Sequence, residues 1–414
     1  MLLEFRVENH RSIQTEQALS LEGSSTDGTR VQEGETPTSV PPVLPVALIY
    51  GANASGKSNV LSALHFMTNA VFHSQRRWEP QGRIPREPFA WAGKRGETSL
   101  FEVTALVDQV RMTYGFTVSD TKVDEEWLFA WPKGRKQVWF ERENTSSFKF
   151  GEHLKGPNDA VRELTRDNSL FLSAAAQQGH RQLLPLFSWF RRVVSFEEYH
   201  SPYWRLDPVY FDLFFPQPHL FPDQAFGIAA ADEIRRLLSM ADTGVVDLRI
   251  ATEGEARKGG SRILLQHQKD DPKSWLELEN ESVGTQSLVR IAPSLFRVLH
   301  EGGVLIIDEL ERSLHPCVCA AILELFLRRE TNPHHAQLIA TTHDTALLGN
   351  SLGQVRLARE HIWFTEKDKS GATVLYPLTD YKPRPTENLE RGYLQGRYGA
   401  IPFLGDVSWI TKEG

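Results

Sequence analysis

Residues 51–58 decide the fold of this chain, and they read Gly51–Ala52–Asn53–Ala54–Ser55–Gly56–Lys57–Ser58. The apolar run 46–50 before them predicts a short buried strand, and the segment 59–67 after them predicts a helix. A glycine-rich loop between a strand and a helix points successive backbone N–H groups at one phosphate, and the helix N-terminus adds partial positive charge. The stretch therefore predicts a phosphate-binding loop (P-loop), in which Lys57 reaches the β- and γ-phosphates and the Ser58 hydroxyl binds Mg²⁺. The alternative is a chance Gly/Ser loop, and the flanking strand and helix argue against it.

The composition is that of a globular protein from a reducing compartment. The chain has 414 residues, enough for two or three domains, and its 40% hydrophobic and 24% charged residues are ordinary values. Its two cysteines, Cys317 and Cys319, argue against a disulfide framework and predict a cytoplasmic location. A formal net charge of −7 gives no global attraction to nucleic acid or to an anionic membrane. No apolar run approaches the length of a membrane span, so we expect no membrane partner.

Hydrophobic patterning predicts an α/β core with an added antiparallel layer. Apolar and polar residues alternate over 99–142, which indicates several antiparallel strands, and helical spacing follows over 158–198. From 245 onward the pattern predicts strands and helices in turn: strands at 245–250, 262–267, 303–307 and 336–340, helices at 285–299 and 316–330, and two short strands within 360–378. The Pro- and aromatic-rich run from Tyr203 to Phe226 reads as a packed irregular segment or an exposed interface.

A second motif is an apolar run that begins at Val304 and is followed by two carboxylates, Asp308 and Glu309. Open α/β sheets bind ligands at the carboxyl ends of their strands, so these acids are expected at a ligand site. Asp308 would hold Mg²⁺ through water, and Glu309 would polarise the water that attacks the γ-phosphate. By itself such a motif is weak evidence for a ligand site, because acids often end buried strands by chance. Together with the P-loop it indicates a nucleotide site.

Two further motifs gain meaning from their positions. His343 follows the apolar strand that comes after the acid-tipped one, where an imidazole would sense a γ-phosphate. A lone histidine is more often structural, and the position favours function. Ser282 and Gly284 open a predicted helix about twenty residues before the acid-tipped strand, where an ordinary helix cap is the alternative.

Cys317 and Cys319 stand beside His315, but their spacing puts the two thiols on different helix faces, which argues against a metal site.

In this order the motifs resemble those of ABC-type ATPases, with residues 313–316 as the D-loop. Residues 7–12 resemble the first strand and turn of the SMC, RecF and OLD-like branch. The likeness extends to prokaryotic AAA family ATPases associated with phage defence, RloA-like proteins and the ATPase of the PARIS system, and covers essentially the whole chain. It is carried by the stretches 49–59, 124–128, 170–175, 281–285, 308–316, 342–344 and 393–402. Two departures are His10, where the branch usually has an aromatic residue, and a Ser282–Gln286 sequence in place of Leu-Ser-Gly-Gly-Gln.

The resemblance implies an ABC-type P-loop NTPase head with an antiparallel β layer and an inserted helical region. The implied parts are an N-lobe over 1–150, a helical insertion over 151–245 and a C-lobe over 246–414. The implied cofactors are ATP and Mg²⁺, with Ser58 and Asp308 at the metal and Glu309 and His343 as catalytic residues. Two heads would form a homodimer or higher homo-oligomer around ATP, because Ser282 and Gly284 of one chain complete the partner's site. The other implied nucleotide-binding residues are Arg11, Asn53, Ala54, Ser55, Gly56, Lys57 and Asn59.

The biological role has two expectations. The first is an ATPase that regulates a separately encoded toxic effector, such as a Toprim-type nuclease, in anti-phage defence. The C-terminal tail has no Asp-x-Asp pair at the end of an apolar strand, so we expect no nuclease site of its own. The alternative is a DNA repair or recombination ATPase of the RecF or SMC kind. Nucleic acid would then meet arginine pairs such as Arg76–Arg77 and Arg235–Arg236, although such pairs are more often solvated surface.

Overall fold

The computed structural model describes residues 1–23, 41–196, 224–250, 263–269, 271, 274–349, 357–384 and 387–402. The chain divides into two compact units, Met1–Arg191 with Ile339–Gly414, and Arg192–Leu338. Most of the predicted Pro- and aromatic-rich segment lies outside the described residues. No helix in the described ranges is both long and apolar enough to cross a membrane.

A seven-stranded antiparallel sheet dominates the first unit. Its strands are β1 (Leu2–Glu8), β2 (Gln17–Ser20), β4 (Ser99–Val107), β5 (Val110–Val118), β6 (Val123–Trp131), β7 (Gln137–Glu143) and β8 (Ser147–Phe150). In space they follow the order β2-β1-β4-β5-β6-β7-β8. Asp108 and Gln109 both have left-handed φ values, 47° and 63°, which is what a tight two-residue hairpin between β4 and β5 requires. The predicted antiparallel layer is confirmed, and its sheet also includes β2 and β8, which patterning did not predict.

The P-loop strand belongs to a parallel arrangement in the same unit. Strand β3 (Val46–Gly51) is buried along its whole length and is followed by helix α1 (Lys57–His73). Strand β15 (Ile362–Lys367) runs parallel to β3 with Thr365 opposite Gly51, and β16 (Thr373–Pro377) returns antiparallel to β15. The carboxyl ends of β3 and β15 therefore meet at one edge, as the α/β prediction requires.

Three short helices pack in this unit beside the antiparallel sheet: α2 (Asn158–Leu164), α3 (Phe171–Gln177) and α4 (Leu184–Phe190). A further helix of this unit, α8 (Leu389–Leu394), lies near the end of the described residues. Single-turn 3₁₀ helices lie at Lys94–Gly96, Thr345–Leu348, Arg359–His361 and Leu378–Tyr381. The helical spacing predicted over 158–198 is wrong near its end, where Val193 lies in a strand that follows α4. This correction follows from the β-branched pair Val193–Val194, which favours an extended backbone.

The second unit has its own small sheet and a parallel strand pair. Strand β9 (Val193–Phe196) pairs in parallel with β13 (Val304–Ile307), and β10 (Asp247–Ile250), β11 (Ile263–Gln266) and β12 (Trp275–Glu277) form an antiparallel sheet. In the part of this unit that the structure describes, the helices are α5 (Gln224–Met240), α6 (Val283–Glu301) and α7 (Pro316–Leu327), with a 3₁₀ turn at Leu278–Asn280. Strand β14 (Gln337–Thr341) begins in this unit and ends in the first. The α/β fold class is confirmed, and the lobe boundaries drawn from the sequence stay a prediction.

His10 occupies an aromatic position in the core of the first unit. Its side chain is buried, its ring lies 5.6 Å from that of Phe101 and 6.2 Å from that of Phe66, and Nε2 is 3.2 Å from the Ser62 Oγ. Burial, with a smaller effect of the Arg11 charge, lowers the pKa of His10 to about 4. The imidazole is therefore neutral at pH 7 and packs as an aromatic ring would.

Acid should destabilise the fold through His10. The unfolded histidine has a pKa of about 6.5, so as pH falls from 6.5 towards 4 the unfolded state takes up a proton that the folded state excludes. The loss attributable to His10 is about 2 kcal/mol between pH 7.5 and pH 5. His10→Phe should make the fall in unfolding free energy over this range smaller by that amount, as measured by urea unfolding. Exposed His153→Gln is the control, and an unchanged pH dependence in His10→Phe would contradict the assignment.

Candidate phosphate-binding site

The loop between β3 and α1 has the conformation that phosphate binding needs. Gly56 caps α1 with a left-handed φ of 106°, and Ala54 has a φ of 62°. The Lys57 Nζ donates to the carbonyl oxygens of Gly51, at 2.9 Å, and Ala52, at 3.1 Å, so the lysine folds back across the loop. Helix α1 is 17 residues long, and its N-terminus brings partial positive charge to this loop.

Four hydroxyl groups from distant parts of the chain hold the loop, and we call them the hydroxyl cluster: Ser12, Ser55, Thr365 and Thr373. The Ser55 Oγ is 2.6 Å from the Thr365 Oγ1, and the Thr373 Oγ1 donates to the Ser55 carbonyl at 2.8 Å. The Ser12 Oγ lies 2.7 Å from the Thr373 Oγ1 and accepts from the Asn59 Nδ2 at 2.5 Å. The cluster fixes the loop from β15, from β16 and from the turn after β1.

The cluster explains why two loop positions are glycine. A Cβ at Gly51 would lie 2.5 Å from the Thr365 carbonyl oxygen, and a Cβ at Gly56 would overlap the Thr373 Oγ1. The backbone of β15 and the start of β16 thus press directly on the loop. The resulting cradle of closely packed backbone fits a phosphate group, because N–H groups without side chains in front of them can approach an anion.

Arg11 lies next to this loop and is already paired. It has a left-handed φ of 48° and directly precedes Ser12 of the hydroxyl cluster. Its guanidinium donates to the two carboxylate oxygens of Glu87, at 2.9 and 3.1 Å, and the hydrogen bond from Arg11 holds the pKa of Glu87 below its usual range. Glu87 thus fixes the orientation of the Arg11 guanidinium and balances its charge, and the nucleotide-binding role of Arg11 stays a prediction.

His343 also joins this site in the first unit. It is exposed, follows β14, and lines a pocket of about 990 Å³ together with Gly51, Ala52, Asn53 and Ser55. Next to it, the Asp344 carboxylate caps a 3₁₀ turn by accepting from the Ala346 N–H at 3.0 Å. The structure therefore brings the predicted P-loop residues, Arg11 and His343 together within one unit.

The predicted acids lie in the second unit. Asp308 and Glu309 are exposed directly after the buried strand β13, and Glu309 has a left-handed φ of 53°. The Glu309 Oε2 is 3.8 Å from the Arg312 Nη1, in the loop that continues to Ser313. Both carboxylates are thus presented to solvent by a strained turn at the carboxyl end of a buried strand, as the motif predicted.

Ser282 and Gly284 sit at the N-terminus of α6 in the same unit. The Ser282 Oγ accepts from the Thr285 N–H at 3.1 Å and so caps the helix. A Cβ at Gly284 would lie 2.8 Å from the Ser313 carbonyl oxygen, so the Ser-x-Gly motif packs against the predicted D-loop. Ser282 and Val283 are themselves exposed.

The donor set fits the predicted cofactors. Ser58 is exposed in the first turn of α1, beside the cradle, and it offers the hydroxyl oxygen that Mg²⁺ accepts. Cys317 is exposed and Cys319 is buried, which confirms that these thiols face different ways. In the described ranges, no group of three or more His, Cys, Asp or Glu side chains is placed to hold a metal by itself. The two predicted magnesium ligands, Ser58 in the first unit and Asp308 in the second, are each exposed, and their shared role stays a prediction.

Sequence reasoning assigned no role to Thr365 and Thr373. Each is a single threonine in a short hairpin, more than 300 residues from Ser55, and no local pattern marks either one. Their role appears only when β15 is placed beside β3. Ser12 belongs to the stretch 7–12, which resembles the SMC, RecF and OLD-like branch. It accepts a hydrogen bond from the Asn59 side chain, so this stretch holds the start of the helix that follows the P-loop.

Comparisons with known proteins give one family match. The family model described as "AAA domain, putative AbiEii toxin, Type IV TA system" matches residues 46–349. A search of curated proteins gave no match. Among solved structures, the chain is similar to the SMC head domain from Thermotoga maritima, with 14% identity, 91% of this chain and 98% of that chain covered, and a TM-score of 0.40.

Two more SMC head structures are similar at the same level. One is the SmcHead bound to the C-winged helix domain of ScpA, with 13% identity, 91% and 96% coverage and a TM-score of 0.43. The other is an Smc head domain with an extended coiled coil bound to the C-terminal domain of ScpA derived from Pyrococcus furiosus, with 10% identity, 92% and 97% coverage and a TM-score of 0.42.

Proposed function

The chain belongs to the AAA-domain family whose model it matches, and we propose that it binds ATP with Mg²⁺ and hydrolyses it. The observation that carries this proposal is the P-loop cradle. Gly51 and Gly56 are held against β15 and β16 by the hydroxyl cluster, Lys57 folds over the loop, and α1 points its N-terminus at the same place. This arrangement supplies directed N–H groups and positive charge, which is what a triphosphate needs.

The predicted roles of the remaining residues follow from ABC-type chemistry. When bound, Mg²⁺ neutralises phosphate charge as a Lewis acid. Ser58 and Asp308 would hold it, Lys57 would pair with the β- and γ-phosphates, and Glu309 would take a proton from the attacking water. His343, exposed in the P-loop pocket, would contact the γ-phosphate. Arg11 would contribute positive charge while Glu87 orients it.

Substitutions of Glu309 and Lys57 should separate turnover from binding. Glu309→Gln should retain ATP binding within about threefold and lose at least about a hundredfold in kcat, because the general base is removed and Asp308 stays. Lys57→Ala should weaken binding itself. Titration with a fluorescent ATP analogue and phosphate release measure the two effects, with exposed Glu152→Gln as the charge-matched control. A Glu309→Gln enzyme that turns over at the wild-type rate would refute the role given to Glu309.

We further propose that two chains enclose two ATP molecules head to head. Ser282 and Val283 are exposed at the N-terminus of the 19-residue helix α6, so its partial positive charge faces outward, where a second chain could offer a phosphate. Gly284 lies close against the D-loop, which fixes the direction of this helix end. This is the head-to-head dimer that the resemblance to ABC-type ATPases implies.

Mixing two inactive variants should test the shared site. Gly284→Asp places a carboxylate where the partner's phosphate would approach, and Lys57→Ala disables the P-loop. In a mixed dimer, one site combines an intact Lys57 with an intact Ser-x-Gly motif from the partner. Half of the dimers in an equal mixture are mixed, and each of these has one competent site out of two. The mixture should therefore recover up to about a quarter of wild-type ATPase activity. A mixture that is no more active than the variants alone would exclude sharing in trans.

The proposed biological role is control of a separately encoded toxic effector in anti-phage defence. We base it on the resemblance of this sequence to RloA-like proteins and to the ATPase of the PARIS system. The family description, which names a putative toxin and a toxin–antitoxin system, supports a setting of this kind. For the DNA-repair alternative, Arg235 of the pair Arg235–Arg236 is engaged by Asp232 and Asp247. Arg76 and Arg77 are exposed, which fits the solvated surface that such pairs usually form.

The pure chain should hydrolyse ATP without cutting nucleic acid. The assay incubates it with ATP, Mg²⁺ or Mn²⁺, and DNA or RNA, at low and high salt. Nuclease activity that follows the protein through purification and survives Lys57→Ala would overturn the separate effector. ATP turnover that DNA stimulates in a salt-dependent way would favour the repair ATPase instead.

A further inference from the structure

The pocket beside the P-loop has a wall formed near the C-terminal end of the chain. Tyr393, Gly396, Gly399 and Pro402 line the same pocket as Gly51 and Asn53. Tyr393 lies in α8, and the other three lie in or just after the turn Gly396–Ala400, which we call the C-terminal turn. All of these residues belong to the first unit.

Hydrogen bonds hold the C-terminal turn in one shape. The Tyr393 hydroxyl donates to the Ala400 carbonyl at 3.0 Å, and the Glu366 Oε2 accepts from the Ala400 N–H at 3.3 Å. The Tyr376 hydroxyl donates to the Tyr398 carbonyl at 3.0 Å. Glu366 and Tyr376 come from β15 and β16, so the hairpin that holds the P-loop also holds this turn.

Aromatic packing makes the same connection. The Phe364 ring of β15 stacks on Tyr393 at 5.5 Å and on Tyr398 at 6.0 Å, and Tyr50 of β3 meets Tyr393 edge-on at 5.8 Å. Tyr393 and Tyr398 are buried. The strand that leads into the P-loop therefore contacts the base of the turn directly.

Three residues of the turn have a left-handed backbone conformation. Gly396, Gly399 and Ala400 have left-handed φ values of 74°, 67° and 58°, and for alanine this conformation is strained. Lys367 adds a cation to the same pocket, with its Nζ donating to the Thr373 Oγ1 at 3.1 Å. The Glu366 carboxylate lines this pocket too, but its Oε2 is engaged by the Ala400 N–H and the Tyr376 hydroxyl, at 3.3 and 3.2 Å. A fixed turn that faces the P-loop across a pocket lined by Lys367 is suited to contact a ligand that the P-loop holds.

We propose that the C-terminal turn is part of the nucleotide site and contacts the nucleoside triphosphate that the P-loop holds. The proposal rests on the function proposed above. It assigns to residues 396–400 a role in confining the bound nucleotide, with Glu366 and Tyr393 as the positioning residues that keep the turn in place. Nucleotide binding and the conformation of the chain's C-terminal region are then linked.

Two glycine substitutions test this with matched backbone strain. At Gly399 a Cβ would lie 2.7 Å from the Glu366 Oε2 and the Tyr376 hydroxyl, whereas at Gly179, with a φ of 69°, it would meet nothing within 4 Å. In the full chain, Gly399→Ala should weaken binding of a fluorescent ATP analogue at least tenfold, and Gly179→Ala should stay within twofold of wild type. Tyr393→Phe, which loses only the bond to Ala400, should weaken it about threefold.

Hydrogen exchange of the wild-type chain supplies a readout that needs no variant. With ATP and Mg²⁺, peptides covering both 51–59 and 393–402 should become protected. Protection of 51–59 alone, or Gly399→Ala binding like Gly179→Ala, would overturn the role of the turn and leave the proposed ATPase standing. A wild-type chain that neither binds the analogue nor protects 51–59 would overturn the proposed function, and this inference with it.

Discussion

The hydroxyl cluster is the constraint on which the first unit's candidate site depends. A buried hydroxyl or carbonyl that lacks a partner costs about 1–3 kcal/mol, so Ser12, Ser55, Thr365 and Thr373 stay together once the strands have met. Ser12 and Thr373 are 361 positions apart in the sequence. The shape of the P-loop is therefore set by the assembled unit, and the local glycines only permit it.

A buried ion pair joins distant segments beside the antiparallel sheet, as the hydroxyl cluster does at the P-loop. The Glu126 carboxylate accepts from the N–H groups of Phe171 and Leu172 at 2.7 and 3.0 Å and from the Tyr114 hydroxyl at 3.0 Å. Arg142, 3.7 Å away, donates to carbonyl groups of the loop before α3. Removing one partner of such a pair costs about 3–5 kcal/mol. The stretches 124–128 and 170–175, which carried part of the resemblance, thus meet in a structural role.

Several loops that carry the candidate chemistry contain left-handed residues that are not glycine. Arg11, Ala54, Glu309 and Ser313 all have left-handed φ values. Non-glycine residues hold this conformation only where the surroundings over-determine it. Ala400 of the C-terminal turn shares it, and so do the hairpin residues Asp108 and Gln109, so contacts rather than strain assign the turn to the site.

The sequence by itself determined the local elements of the site. The strand, loop and helix around Lys57, the acid-tipped strand β13 and the helix after Ser282 all have strong local patterns, and each lies where it was predicted. Patterning missed β2, β8, β9 and β12, which have three or four residues each, too few to show a period. Strand β13 is as short, but its unbroken apolar run followed by two carboxylates identified it. Only the tertiary structure placed Thr365, Thr373 and the C-terminal turn beside the P-loop, because those contacts join residues more than 300 positions apart and no local pattern encodes such pairing.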